Sequence, residues 1–388
     1  MLQFRSDDTV KWLEGFGNRA EGDATPSGTF GNAKTPFTGT QDASTGTVGS
    51  NSGFSIGDLV FIHQSRNGGD GAGVHQLNRI TDISGTTFTF KYPLQHDFAT
   101  TAQIIRIAQS RNITINGTLT APAWDGSVGG IIVLMGDSIN GSGTIDLLGK
   151  GYRGGQQSSS GNVSGQAGEG TTAASSDTHD SGNNGGGGGR SNGVGNSGAG
   201  GGHVSQASNG PRHFEFSADG SATLAVGGIA VGNAGLTVMV FGGGGGAGGK
   251  DSGSGEQSTG HGGIGGGILV IICRAIDLSS MTIVRTGGTD GGYNSENHNG
   301  GGGGAAAGSI LLKGQTIILG SNKLTALAGN GSWGCATQHS NLATNGTNGR
   351  IHADILDTDN LSGTTNPTID VREDSTLVDP GGAFLGLI

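Results

Sequence analysis

The chain has 388 residues and a formal net charge of −10, and 84 residues are glycine against only 7 prolines. Sparse, unclustered basic residues exclude a nucleic-acid footprint, and no apolar run reaches membrane-spanning length. Scarce proline and the missing Gly-X-Y triplet exclude collagen.

The N-terminus, MLQFRSDDTVKWLEGFG, lacks the basic start and apolar core of a signal peptide. The expectation is synthesis in a cytoplasm without a signal peptide, and release by lysis or a signal-free route. Residues 1–53 begin with a short amphipathic piece around Trp12 and Leu13. They continue into a Thr/Ser/Gly-rich stretch that reads as an arm or attachment segment. Residues 54–109 read as a small β module. FSIGDLVFIHQS, VHQLNRITDIS, TFTFKYPL and AQIIRIAQ are its strand candidates, and ISGTT is a hairpin turn.

From residue 110 a repeat emerges. It covers 129–151, 266–288 and 308–331, and LTVMVFGGG at 236–244 reads as a partial copy. Each copy opens with an apolar strand. A second apolar site follows (Ile139, Ile276, Ile318), then a third (Ile145, Ile283, Leu324), and each copy ends in glycine. A unit that buries one apolar edge and stacks on its neighbour is the signature of a solenoid or layered β fold. Residues 110–350 therefore read as one glycine-rich domain, and 351–388 as a C-terminal strand and tail.

Glycine tracts at 185–189, 198–202, 242–249, 262–267 and 300–304 lie between these strands. Glycine loses roughly 0.5–1 kcal/mol relative to alanine in regular structure, so the fold must need it. One tract, Gly244 to Lys250, fits G-x-x-x-x-G-K of a phosphate-binding loop. However, Asp251 stands where Ser or Thr should reach magnesium, and no helix follows. Extended glycine helices of about three residues per turn carry no internal hydrogen bonds, so their backbones must bond to one another. The expected fold is all-β: a solenoid-like or layered core joined to a sandwich of polyglycine-II helices, with essentially no α-helix.

The tracts GGGGGRSNGVGNSGAGGGH and FGGGGGAGGK, separated by polar inserts, resemble the glycine-rich tip adhesins of tailed bacteriophages. A wider likeness, from about residue 55 to 375, ties LTAPAWDG, GKGYRGG, AGLTVMVFGGGGGAGG, GGGILVI and GRIHAD to glycine-rich phage and bacterial surface proteins. The first resemblance implies a polyglycine-II sandwich whose distal loops contact a host receptor.

Arg212, His213, Phe214 and Phe216 are the densest aromatic and basic cluster in any insert. They read as binding anchors or as a short strand covering the core edge. Tyr293, His298, Trp333 and His339 occupy the last two inserts. An exposed Tyr or Trp would be a sugar platform, while Trp333 could equally plug the solenoid end. Tyr152 is expected to pack on the glycine lattice and Arg153 to cap a strand end. Asp177, His179 and Asp180 read as a solvated loop, because no carboxylate pair suited to glycoside hydrolysis is evident. Scattered histidines lack metal-ligand spacing. Cys273 reads as a small buried residue, and with Cys335 it makes no disulfide framework.

The expectation is a structural, receptor-binding phage-tail component, an adhesin or fibre, without catalysis, cofactor or metal. Its expected partners are itself, as a homotrimer or filament, other virion tail proteins, and a host surface protein or glycan. Neither nucleic acid nor membrane insertion is expected. The alternative is a self-assembling extracellular filament or surface-layer subunit with no specific ligand.

Overall fold

A computed structural model describes residues 16–157, 163–172, 183–191, 196–211, 224–250, 259–293, 299–334 and 341–377. These are strands and extended tracts; the only helical turn among them is a 3-10 turn at Thr358–Asn360. After β1 (Gly28–Thr29) come β2 (Lys34–Gly39), β3 (Thr45–Val48), β4 (Leu59–Gln64), β5 (His75–Ser84), β6 (Thr87–Phe90) and β7 (Phe98–Ile107). The last six close into an antiparallel barrel in the order β2-β3-β6-β5-β4-β7.

The four strand candidates of 54–109 are thus β4 to β7, and the ISGTT turn joins β5 to β6 through Gly85 at φ 59°. The boundary at residue 53 is corrected. β2 and β3 lie in the expected arm, yet they alternate buried and exposed positions and place Phe37 and Val48 in the barrel core. Composition suggested a linker there, but the period-two alternation decides the structure.

The second half is a parallel β-helix. Its strands are β8 (Asn112–Ile115), β9 (Thr118–Thr120), β10 (Ile131–Gly141), β11 (Thr144–Asp146), β12 (Ile268–Asp277), β13 (Ile283–Arg285), β14 (Ser309–Gly314) and β15 (Thr316–Thr325). A two-residue ladder, β16 (Trp333–Gly334) with β17 (Asn341–Leu342), precedes β18 (Arg350–Ile355), β19 (Leu361–Asn366) and β20 (Asp370–Glu373). Register defines three sides. On the first, Ile132, Leu269, Ile310 and Ile351 stack in one row. On the second, Ile113, Ile139, Ile276 and Ile317 do so. On the third, Leu119, Ile145, Val284 and Leu324 follow. These rows fill one interior core.

The first side is buried on both faces. Its outward residues Val133, Val270 and Leu311 pack against Leu59, Phe61 and Ile105 of the barrel. That double burial explains the unbroken apolar runs IIVLM and ILVIIC.

Two repeat positions shift by one residue. Ile276 pairs with Ile317, not Ile318, and Ile145 pairs with Val284, not Ile283. Ile318 points outward, 38% exposed. The supposed partial copy at 236–244 forms no ladder. Its Met239, Val240 and Phe241 are instead wedged between barrel and β-helix. The segment expected as a C-terminal strand and tail carries the β-helix on through β18, β19 and β20.

After β11, β13 and β15 the chain leaves the third side, and glycine tracts lead back to β12, β14 and β18. The tract 242–250 shows how they pack. Gly242, Gly245 and Gly248 donate to the carbonyls of Gly266, Gly263 and Gly260. Gly244, Ala247 and Lys250 donate to Glu169, Gln166 and Val163. Gly246 and Gly249 donate to Ala199 and Asn196. Every third donor meets the same neighbour, three residues further back, so these neighbours run antiparallel and the tract turns once per three residues. Its carbonyls accept from three further tracts: Gly243, Gly246 and Gly249 from Ala306, Gly303 and Gly300; Gly244 and Ala247 from Gly186 and Gly189; Gly245 from Gly155. One tract is therefore bonded to six others, the arrangement of a polyglycine-II lattice.

The glycine requirement is now physical. A Cβ on Gly243 would lie 1.8 Å from the Asn184 carbonyl oxygen, and one on Gly262 would lie 1.8 Å from that of Gly245. Backbone carbonyls set both limits, so no rotamer relieves them.

Candidate functional site

The lattice has a near end, against barrel and β-helix, and a far end. At the near end Asn184 reaches the carbonyls of Gly202 and Phe241, and Asn67 N–H donates to Thr171. The far end is fixed by the last bonds of each tract: Lys250 to Val163, Gly249 to Asn196, Gly300 to Gly249, Ser332 to Gly302, and Gly210 to Ala225. Described residues flanking the inserts 158–162, 192–195, 212–223, 251–258, 294–298 and 335–340 therefore converge on one end. Six separate excursions of the chain are rooted there.

Of the candidate anchors, Arg212, His213, Phe214, Phe216, His298 and His339 lie outside the described residues, as do Asp177, His179, Asp180 and Cys335. Tyr293 and Trp333 are described, and both are exposed, 59% and 48%. Trp333 is no plug of the solenoid end. It pairs across a short antiparallel ladder with Leu342, itself exposed.

The phosphate-loop geometry is absent. Gly244, Gly245, Gly246, Ala247, Gly248, Gly249 and Lys250 all donate their N–H groups to carbonyls, so none remains to cradle an anion.

Tyr152 is fully buried edge-on to Phe241, with ring centroids 5.3 Å apart, and its hydroxyl donates to the Ser65 carbonyl. Burial pushes the phenol well above its ordinary range. Arg153 does more than cap a strand. Its Nε lies 3.0 Å from Oε2 of Glu169, a carboxylate that also takes Arg66 at 3.1 Å and Trp124 Nε1 at 3.3 Å. Glu169 is 1% exposed, and sequence reading passed over it inside a polar insert. This carboxylate ties barrel (Arg66), β-helix entry (Trp124) and lattice (Arg153) together. Glu169→Gln would leave the two guanidinium groups without their buried counter-charge. The expected cost is about 3 kcal/mol, read as a lower unfolding midpoint, with the Arg66→Met/Glu169→Met double variant recovering part of it.

A second charged group lies along the last rungs. Lys313, Asp354 and Arg372 occupy one register position on β14, β18 and β20. Asp354 accepts from Lys313, from Arg372 at 2.8 Å and from His352 at 3.1 Å. Burial alone would raise its pKa, but the His352 hydrogen bond and the Lys313 and Arg372 charges outweigh it and hold the carboxyl well below the usual range. Its neighbours occupy the carboxylate, so it reads as a structural ladder at the sheet edge. Among the described residues no group of three or more His, Cys, Asp or Glu could hold a metal ion.

No protein-family model matches the chain, and no curated protein does. Among solved structures, the tailspike of Acinetobacter baumannii bacteriophage AP22, solved with a capsular saccharide of that bacterium, aligns at 11% identity and TM-score 0.18. That alignment covers 32% of this chain and 26% of the tailspike. The tailspike of Pseudomonas phage phi297 aligns at 10% identity and TM-score 0.19, over 88% of this chain and 47% of its own. The tailspike of Pseudomonas phage LKA1 aligns at 11% identity and TM-score 0.18, over 88% and 64%. The chain thus spans less than two thirds of each. Scores this low do not place it in their fold.

The near end has its own chemistry. His63 Nε2 lies 2.7 Å from the Met239 carbonyl and His203 Nε2 lies 3.2 Å from the Val240 carbonyl. Two imidazoles, one from the barrel and one from the end of a glycine tract, thus clamp consecutive carbonyls of the wedge 236–241. His75 flanks them, 6.4 Å from His63 ring to ring. Burial drives all three toward the neutral form, His63 to about 3 and His75 and His203 to about 4. These are packing histidines.

Proposed function

We propose that the chain is a receptor-binding structural component of a phage tail, an adhesin or fibre whose polar inserts are rooted on a rigid lattice. The observation that supports this most directly is the convergence of six insert roots on one end of a backbone-bonded core. A rigid scaffold presenting clustered loops is the general design of binding surfaces. The barrel packs at the opposite, near end, a position suited to joining other tail proteins or further copies of the chain. Multivalency in a homotrimer would raise weak contacts to useful avidity. Binding without catalysis belongs to the proposal.

The filament alternative gains less support. Pairing between copies through the last rung would use β19, which is uncharged, and β20, which is four residues long and carries Asp370, Arg372 and Glu373, with Pro367 standing between the two strands. Short, charged, proline-flanked edges such as β20 resist strand addition.

The test incubates the labelled full chain with a panel of bacterial strains. Saturable binding to some strains is expected, with loss when Arg212, His213, Phe214 and Phe216 become serine and the unfolding midpoint stays put. Binding to no strain, long ordered filaments in electron micrographs, or release of reducing sugar from capsule would each count against the proposal.

A further inference from the structure

The lattice sets a three-residue period, so residues three apart on an outer tract share a face. Two outer tracts run in parallel with constant register: Gly288 N–H donates to Leu327 O and Gly291 N–H to Asn330 O. The same offset puts Tyr293 beside Ser332 and next to Trp333. Asp290 and Tyr293 are three apart, as are Asn330 and Trp333, and Leu342 and Asn345. All six are exposed, while the residues between them (Gly291, Gly292, Gly331, Ser332, Ala343 and Thr344) are half-buried or buried. Three neighbouring tracts therefore each carry an exposed polar group and an exposed apolar one three residues apart on one outer face, in reversed chain order in the third because it runs antiparallel to the second.

The polar groups are held in place. Asp290 Oδ1 accepts from Asn330 N–H at 2.6 Å and from Asn330 Nδ2 at 3.3 Å, and Asn345 Oδ1 accepts from Gly331 N–H at 2.8 Å. These bonds leave Asp290 Oδ2 as an acceptor and Asn345 Nδ2 as a donor with no hydrogen bond to any described residue. The Tyr293 and Trp333 rings make no ring contact within the described residues. A fixed acceptor, a fixed donor and two uncommitted ring faces match a pyranose, whose hydroxyls ring an apolar C–H face. A protein hot spot would ask for contiguous apolar cover around its anchors, and here polar groups separate them. The one formal charge among the six is the Asp290 carboxylate, which repels acidic sugars.

We infer that Tyr293 and Trp333, with Asp290, Asn330 and Asn345, form a binding site for an uncharged pyranose glycan of the host surface, an inference that rests on the adhesin reading. The rings stack on sugar faces while Asp290 and Asn345 hold hydroxyls.

The experiment uses the full chain on an array of immobilised bacterial surface oligosaccharides, neutral and uronic-acid-bearing. Alongside it, cell binding is measured after periodate or protease treatment of the cells. The expected result is binding to neutral glycans, weakened about tenfold or more in Trp333→Ala and retained in Trp333→Phe. Asp290→Asn should admit acidic sugars. Leu327→Ala, on the same face but outside the site, should change nothing. Equal binding by Trp333→Ala would overturn the site. Cell binding that survives periodate and is lost to protease, with an empty array, would make the partner a protein: the glycan inference falls and the adhesin reading stands. An empty array with no cell bound would remove both.

Discussion

Gly246→Ala is expected to cost at least about 4 kcal/mol, beyond the range of ordinary substitutions. Gly246 sits at the centre of the lattice, donating to Ala199 O and accepting from Gly303 N–H. An added Cβ would lie 1.9 Å from the Gly187 carbonyl oxygen. No side chain can rotate away, so whole tracts must separate, and each separation breaks hydrogen bonds in series. The control is Gly31→Ala, where an added Cβ meets nothing within 4 Å; it should stay within about 0.5 kcal/mol of wild type. Thermal and denaturant midpoints of both variants make the comparison. If Gly246→Ala melts like Gly31→Ala, the tracts are not packed at the spacing described here. Neighbouring Ala247 is fully buried, so the lattice tolerates a methyl at some positions, and the penalty is specific to direction.

The expected fold class and the lattice were legible because both rest on strong local signals: alternating or unbroken apolar runs, and glycine far beyond any entropic tolerance. What failed was phase and boundary. Choosing Ile318 over Ile317, or Ile283 over Val284, is a one-residue slip, and in a strand one residue exchanges inside for outside. Two adjacent β-branched residues give composition no means of choosing, while ladder register does. The barrel's first two strands hid in a Thr/Ser/Gly-rich stretch because Phe37 and Val48 are its few large apolar residues pointing inward. Glu169 was invisible for a different reason. Its role depends on Arg66, 103 positions earlier, and on Trp124, and nothing local marks a buried carboxylate. Of the residues proposed for the aromatic site, Tyr293 and Trp333 already stand out in the sequence as rings in polar inserts. Their polar companions Asp290, Asn330 and Asn345 emerge only once the period of three and the tract register are known.

Acid should loosen the joint between barrel, β-helix and lattice, and the sign follows from the histidines. His63, His75 and His203 are neutral in the fold, with burial as the largest cause and folded values of about 3, 4 and 4 against an ordinary 6.5. Neighbouring groups that carry a proton, or would take one in acid, reinforce this. His75 disfavours a proton on His63, Lys313 and His96 do so for His75, and Arg350 does so for His203. Unfolded imidazoles bind protons below 6.5 while the folded ones refuse them, so this stabilisation is present above that pH and is lost as pH falls toward 4. Each histidine contributes a slope of about 1.4 kcal/mol per pH unit in that window, about 4 kcal/mol for the three. Below 3.8, protonation of Asp354 adds a further loss, because its folded carboxyl is held below its ordinary value. The measurement is the unfolding midpoint from pH 7.5 to 4.5, expected to fall steeply below 6.5. His203→Gln isolates one contribution. The Nδ1 of His203 has no hydrogen-bond partner among the described residues, so a glutamine amide can keep the contacts of Nε2 to Val240 O and Ser309 Oγ and remove only the titration. That variant should flatten the slope by about a third. An unchanged slope would mean that His203 is accessible to protons in the folded chain, and that the wedge at 236–241 is not clamped as its two histidine contacts imply.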